Sequence, residues 1–290
     1  MPETPQPRAP VHISHSARET LTRCAKSYFL KYLAKAPKRP ALWLAGGSAV
    51  HQVTEVYDLN VMAGGEKLNV KAAWDTCFDF QLFEAREREP NENIWAKSSA
   101  EPIEVWRTMG LGFVRSYIDW RERSPWEIWT TPDGEPAIEL DVSGRLPGCP
   151  VEIKAYLDRV FWDPVFKKHW IVDLKSGKKP PKNADQFGTY SALLKVKYGL
   201  DVDMGVPFMN RKGTVGKPFD LTEYTPEFVG EIFGKAWEDV QGYLKSGQWP
   251  ADLSDCFLCD VKAACAVIGG PLAPQYDPAS PGHPSNTPSY

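Results

Sequence analysis

A short apolar run, Trp170-Ile171-Val172, closes in Asp173-Leu174-Lys175 and stops at Ser176-Gly177, and it constrains the fold more tightly than any other segment. Its β-rich composition and the turn pair behind it predict a buried strand that ends in a loop. Side chains alternate along a strand, so Asp173 and Lys175 share one face while Val172 and Leu174 take the other. A carboxylate and an ammonium at the end of a buried strand are costly unless they pair with each other or with a bound ion. An acid placed there can hold a hard divalent cation, and the lysine can orient a water or neutralise developing charge. An ordinary strand-end ion pair satisfies the same pattern, so the rest of the chain has to decide.

At 290 residues, with 42% hydrophobic and 24% charged residues, the chain has the makings of one large globular domain or two smaller ones. The sequence contains no apolar stretch of membrane-spanning length and no charged-then-apolar leader, which predicts a cytoplasmic protein without a membrane partner. The net charge of −3 is not that of a generally basic nucleic-acid binder. Positive charge is local instead. Arg18 to Arg39 holds seven Lys and Arg against the single Glu19, and Lys175 to Lys182 holds four lysines and no acid. Either stretch could follow a phosphate backbone or form a solvated face.

Residues 1–12 and 271–290 are rich in proline and small polar residues, which predicts a disordered arm and a disordered tail around one domain at 13–270. Ser16-Ala17-Arg18-Glu19 has the spacing of a capping box and predicts a helix to about Leu33. Helical periodicity predicts further helices over 47–62, 70–88 and 102–123, a helical part spanning 13–125. The period then changes. Segments 127–131, 137–146, 151–162 and 169–175 read as strands, followed by a helix over 183–197 and strands at 203–209 and about 217–224, a sheet core over 126–225. A long helix over 226–245 and a cysteine cluster close the domain at 226–270. The order predicts an α/β fold with a mixed central sheet flanked by helices.

Several constellations stand on these elements. Gly47, His51 and Glu55 repeat at four-residue spacing on a predicted helix, so His51 and Glu55 face one site. Imidazole suits Mn²⁺ better than Mg²⁺. Asp158 sits between Leu157 and Val160 in a core strand, where an acid needs a cation or a donor, whereas Arg159 faces the other way and is expected to be exposed. Gln186 and Tyr190 share a face of the next helix and could hold a phosphate or a water. Cys256, Cys259 and Cys265 offer three thiolates and need a fourth ligand, for which Cys24 is the candidate, while Cys77 and Cys149 read as core and loop residues. Spacing alone does not separate tetrahedral zinc from an iron–sulfur cluster.

Taken in order, these pieces resemble the iron–sulfur branch of the RecB-like PD-(D/E)XK nucleases, over about residues 13–265. The family's G-x3-H-x3-E is similar to Gly47, His51 and Glu55. Its G-x-x-D-R resembles Ala155 to Arg159, with alanine for glycine, and its D-x-K-T-G resembles Asp173 to Gly177, with Ser176 for threonine. Its Q-x3-Y resembles Gln186 and Tyr190, and its terminal cysteines resemble Cys256, Cys259 and Cys265, preceded by Cys24. The resemblance implies a PD-(D/E)XK core with a C-terminal Fe–S lobe. His51, Asp158, Asp173 and the Leu174 carbonyl would hold Mg²⁺ or Mn²⁺, Lys175 would be the catalytic lysine, and Glu55, Gln186 and Tyr190 would assist. Cys24, Cys256, Cys259 and Cys265 would hold a 4Fe–4S cluster. The implied activity is an exonuclease on DNA, chiefly single-stranded, in recombination, repair or phage DNA metabolism. A non-catalytic DNA-binding module of the same fold, with a structural Fe–S or zinc site, is the alternative. No G-x4-G-K-[ST] occurs, so any helicase, annealing or recombination partner is a separate chain.

Overall fold

A computed structural model describes residues 10–96, 101–254, 256–257 and 259–286. Strand β1 (His12–Ser14) leads into α1 (His15–Arg23) and α2 (Ala25–Tyr28), which runs on as a π-helical turn over Phe29–Leu33. Three long helices follow: α3 (Leu42–Met62), α4 (Val70–Arg88) and α5 (Ile103–Arg123). They pack on one another through Val50, Val53, Trp74, Phe78, Trp106 and Val114, a core of their own. Helix α3 also carries His51 over the sheet.

The sheet contains β2 (Glu127–Ile128), β3 (Ile138–Asp141), β5 (Tyr156–Asp163), β6 (Lys168–Lys175), β7 (Met204–Met209), β8 (Thr214–Val215) and β9 (Phe219–Asp220). The path runs β2-β5-β6-β7-β8, with β3 also on β5 and β9 on β7. Strands β5 and β6 are antiparallel, whereas β6 and β7 are parallel and joined through α6 (Asp185–Tyr198), as a parallel pair requires. The sheet is therefore mixed, as the sequence predicts. Strand β4 (Glu152–Lys154) pairs instead with β1 and ties the N-terminus to the sheet's edge. Helix α7 (Pro226–Ser246) packs beside α6 and α1. Its Gly230 and Gly234 lie so close to the turn at Pro147-Gly148 that a Cβ on either would strike a backbone carbonyl.

The structure departs from the sequence-based expectations in several places. The helix expected over 16–33 begins on Ser14, whose Oγ accepts the Ala17 N–H at 3.2 Å, and breaks at Cys24. Cys24 is extended (φ −162°, ψ 104°) and caps α2 with its own sulfur, so the break turns that thiol out of the helical row. The expected strand over 151–162 is two strands, because Ala155 hands the chain from the β1 edge to the main sheet. The strand expected near 217–224 is reduced to two residues, Phe219–Asp220, on β7. Arg159 is fully buried rather than exposed.

The tail expected to be disordered from Pro271 is folded through Asn286, and a short helix α8 (Ala273–Tyr276) delivers Asp277 to the interior. That carboxylate accepts from Lys26 Nζ at 3.0 Å and from the backbone of Ala266 and Ala279, a set of donors that makes a buried charge tolerable. Of the arm expected over 1–12, residues 1–9 lie outside the described residues and His12 already belongs to β1; residues 287–290 of the tail also lie outside them.

Candidate metal and active site

The pairing of β3, β5 and β6 builds the site. Arg159 pairs with Val172, so one residue further along the same register Asp158 stands opposite Asp173. Ile138 pairs with Arg159 and Leu140 with Leu157, so Glu139 stands opposite Asp158 on the other side. Residues directly opposed across a sheet share a face. Glu139, Asp158 and Asp173 therefore form a row of three carboxylates across adjacent strands. Like charges in such a row repel and destabilise the sheet unless positive charge is brought to them.

Helix α3 brings some of it. His51 Nδ1 lies 3.4 Å from Glu139 Oε1 and 3.5 Å from Asp158 Oδ1, and its Nε2 is 3.0 Å from the Leu174 carbonyl oxygen. Gly47, one turn earlier, permits this approach, since a Cβ there would come within 3.1 Å of Ser176 Oγ at the end of β6. His51, Glu139 and Asp158 each offer a ligand atom, and the three atoms lie within 4.8 Å of one another. Two carboxylates, an imidazole and a nearby backbone carbonyl suit an octahedral Mg²⁺ or Mn²⁺.

Asp173 completes the row differently. It is 3% exposed, and its Oδ2 lies 2.6 Å from Lys175 Nζ, a close ion pair within the site. Lys175 Nζ also donates to Gln186 Oε1 at 3.1 Å, and Gln186 Nε2 donates to Tyr190 Oη at 2.9 Å. Both come from α6, so the helix that joins β6 to β7 fixes the lysine's position. Asp158 Oδ2 meanwhile accepts the Leu174 N–H at 2.6 Å, which locks β5 to the end of β6.

The electrostatics follow from crowding. Burial pushes the Asp158 carboxyl up, against the pull of His51, to about 6. Burial acts to lower the His51 pKa, but Asp158, Glu139 and Asp173 outweigh it and push the imidazole up to about 9. Glu55, one turn beyond His51, is raised by burial and by the neighbouring Glu139. Lys175 is raised although burial opposes it, chiefly by Asp173.

Sequence reasoning overlooked Glu139. The signal was present: an acid flanked by Ile138 and Leu140 in a β-rich run carries the same anomaly as Asp158. Glu139 also adopts φ +47°, a left-handed conformation that strains a residue other than glycine by about 1–3 kcal/mol. Arg159 holds it from behind. Its guanidinium donates to Asp58 at 2.7 Å, to the Asp158 carbonyl at 2.6 Å and to Glu139 at 3.4 Å. Tyr117 and Arg121 of α5 converge on the same Asp58 at 2.6 and 3.1 Å, so the helical layer and the sheet are joined through one buried carboxylate.

A second constellation lies at the other end of the chain's path. Cys24, Cys256, Cys259 and Cys265 line one cavity together with Arg23, Lys26 and Lys262, although Cys24 is more than two hundred residues from the other three. Cys77 and Cys149 lie elsewhere, and Cys149 donates to the Val151 carbonyl at 3.3 Å. Among the described residues no three of the cysteine sulfurs fall within 4.8 Å of one another. A tetrahedral zinc with bonds of about 2.3 Å would draw its sulfurs to about 3.8 Å apart.

Three of the seven cations of the first basic stretch meet acids inside the molecule. Arg18 meets Asp185 at 2.9 Å, Lys26 meets Asp277 at 3.0 Å and Lys31 meets Asp260 at 2.7 Å. In the second stretch Lys178 meets Glu101 at 3.2 Å.

An acid row, a helical histidine and a strand-end lysine thus meet on one face of a mixed sheet. Residues 12–266 match the model of the PD-(D/E)XK nuclease superfamily, and the chain belongs to that family. It is 32% identical over 261 residues to the Gene 69 protein of Mycobacterium phage D29, covering 85% of this chain and 93% of that protein. It is 29% identical over 280 residues to the Gene 69 protein of Mycobacterium phage L5, with the same coverage. Among the described residues no helix is long and apolar enough to cross a membrane.

Proposed function

We propose that this nuclease is an exonuclease acting on single-stranded DNA in recombination, repair or phage DNA metabolism. The observation that carries the reading is the row Glu139–Asp158–Asp173 beneath His51, with Lys175 fixed at its end. His51, Glu139 and Asp158, with Asp173 and the Leu174 carbonyl, would hold Mg²⁺ or Mn²⁺. Such a cation supplies an activated water and stabilises charge on the reacting phosphate. Lys175 carries its ammonium to the same place and offsets negative charge developing on the phosphoryl oxygens. Gln186 accepts from that ammonium and in turn donates to Tyr190, so α6 fixes Lys175 where it meets Asp173. Glu55 lines the same cavity as His51 and Glu139 and would accept a proton from the attacking water.

Cys24, Cys256, Cys259 and Cys265 would hold a 4Fe–4S cluster. In support, four thiols from the two ends of the chain line one cavity, together with Arg23, Lys26 and Lys262. The cluster would bind α2 to the C-terminal segment and act chiefly on folding.

The deciding experiment is cleavage of end-labelled single- and double-stranded DNA in Mg²⁺ or Mn²⁺, wild type beside Asp173→Ala. Metal-dependent, stepwise loss of single-stranded substrate by wild type alone is expected. Binding of DNA without cleavage by either protein would replace this reading with a non-catalytic DNA-binding module. Anaerobically purified protein is expected to contain iron and acid-labile sulfide; a zinc-loaded, colourless protein would overturn the cluster assignment and leave the nuclease intact.

A further inference from the structure

Three cavities run in succession from the acid row to the cysteine lobe and share their walls. Trp43 lines both the cavity at His51 and Glu139 and the next one; Trp95 lines that middle cavity and a third. The third has a volume of about 590 Å³, the size of a small-molecule site. Its lining differs in character from the rest of an acidic molecule. Lys38, Arg39, Arg88 and Lys262 stand around it, with Phe257 at 74% and Ile94 at 51% exposure. Its acids are Glu89 and Asp260, and Asp260 is already engaged by Lys31. The middle cavity is lined by three acids: Glu101 is 3.2 Å from both Arg211 and Lys178, Glu92 pairs with Arg86 at 2.7 Å, and Glu104 is the third, so the cations that would hold phosphates belong to the third cavity alone.

Segments remote in sequence build the groove, and backbone hydrogen bonds fix its floor. The Arg39 N–H donates to the Asp260 carbonyl and the Ala96 N–H to the Pro40 carbonyl, both at 2.7 Å. We infer that this groove is the track on which single-stranded nucleic acid docks, passing Trp95 and Trp43 to reach the acid row; its destination rests on the nuclease reading above. The cations follow the phosphates and Phe257 offers an open ring on which a base stacks, the two elements that single-strand binding needs. Phe257 lies between Cys256 and Cys259, so the segment that would hold the cluster also holds the stacking ring in place.

The test reads binding without cleavage. Full-length protein is titrated into a fluorescently labelled oligothymidylate in Ca²⁺, by anisotropy, across a salt series. Lys38→Glu/Arg88→Glu, both exposed and away from the cysteine cavity, is expected to weaken binding at least tenfold. It should also flatten the log K against log salt slope by about 0.7 for each lost phosphate contact. Phe257→Ala is expected to weaken binding about tenfold with the salt slope unchanged. Lys71→Glu/Lys235→Glu changes the net charge equally at exposed sites elsewhere and should bind like wild type. Groove variants that bind like wild type, or a charge control that loses as much, would overturn the track. Binding that depends on the groove with no cleavage in Mg²⁺ would overturn the nuclease reading and leave the track standing.

Discussion

Protons and a divalent cation compete for His51. With its pKa pushed up to about 9 by Asp158, Glu139 and Asp173, against the effect of burial, the ring carries a proton at neutral pH. A metal ligand must surrender that proton, so Mn²⁺ binding near neutral pH is expected to release about one proton. Affinity should rise about tenfold per unit as pH climbs towards 9, and Asp158 should add a second competing proton only below about 6. Calorimetry in buffers of different ionisation heat measures the release; identical heats in all buffers would remove His51 from the ligand set. Arg159 acts one step behind. Arg159→Lys keeps the charge but not the fork that reaches both Asp58 and Glu139, and is expected to weaken Mn²⁺ binding about 10- to 100-fold. Arg159→Met should in addition lower stability in urea by about 3–5 kcal/mol, because it removes the cation buried beside Asp58.

Two adjacent glycines separate the jobs of helix α3. A Cβ at Gly46 would run into the Trp106 ring of α5, whereas one at Gly47 would meet only Ser176 Oγ, at 3.1 Å. Gly46→Ala is therefore expected to lower unfolding free energy by about 1–3 kcal/mol, with single-turnover cleavage by the folded fraction close to wild type. Gly47→Ala should show the opposite balance, a small change in urea midpoint and a slower turnover, because the end of β6 shifts relative to His51. Equal effects of both on stability would mean that α3 serves packing alone. The three long helices α3, α4 and α5 begin and end within a few residues of the spans that their periodicity predicts, since each buries a whole face. The edge strands are shorter than their composition predicts. A strand's length is set by its partner, and β8 and β9 each meet only part of β7.

At the scale of the molecule, the two chain ends close on each other. Asp277, fully buried, neutralises Lys26 next to the cysteine cavity, and Ala273 and His283 are buried around it. Truncation after Gly270 leaves Lys26 buried without its carboxylate and is expected to cost about 3–5 kcal/mol of stability. Chemical denaturation of the truncated and full-length proteins measures it; unchanged stability would show that residues 271–286 only rest on the surface. Asp277→Asn, which keeps the hydrogen-bonding shape without the charge, should fall between the two.

The sequence by itself determined the mixed α/β class, the long helices and most of the candidate site. His51, Asp158, Asp173, Lys175, Gln186 and Tyr190 were legible because each is a polar group at a spacing that a strand or helix converts into a shared face. Cys24 could be named as partner to the terminal cysteines but not placed beside them, because only the packing of α2 against the C-terminal segment brings their thiols to one cavity. The roles of Arg159 and Asp277 belong to the tertiary structure, and Glu139 showed in the sequence only as an acid between Ile138 and Leu140. Whether a charge is exposed, pairs internally or waits for a cation depends on groups tens or hundreds of residues away. Register across three strands made Glu139 a member of the acid row, and a folded tail made Asp277 the partner of Lys26. Periodicity is a local property and survives in one dimension; charge compensation is a property of neighbours in space.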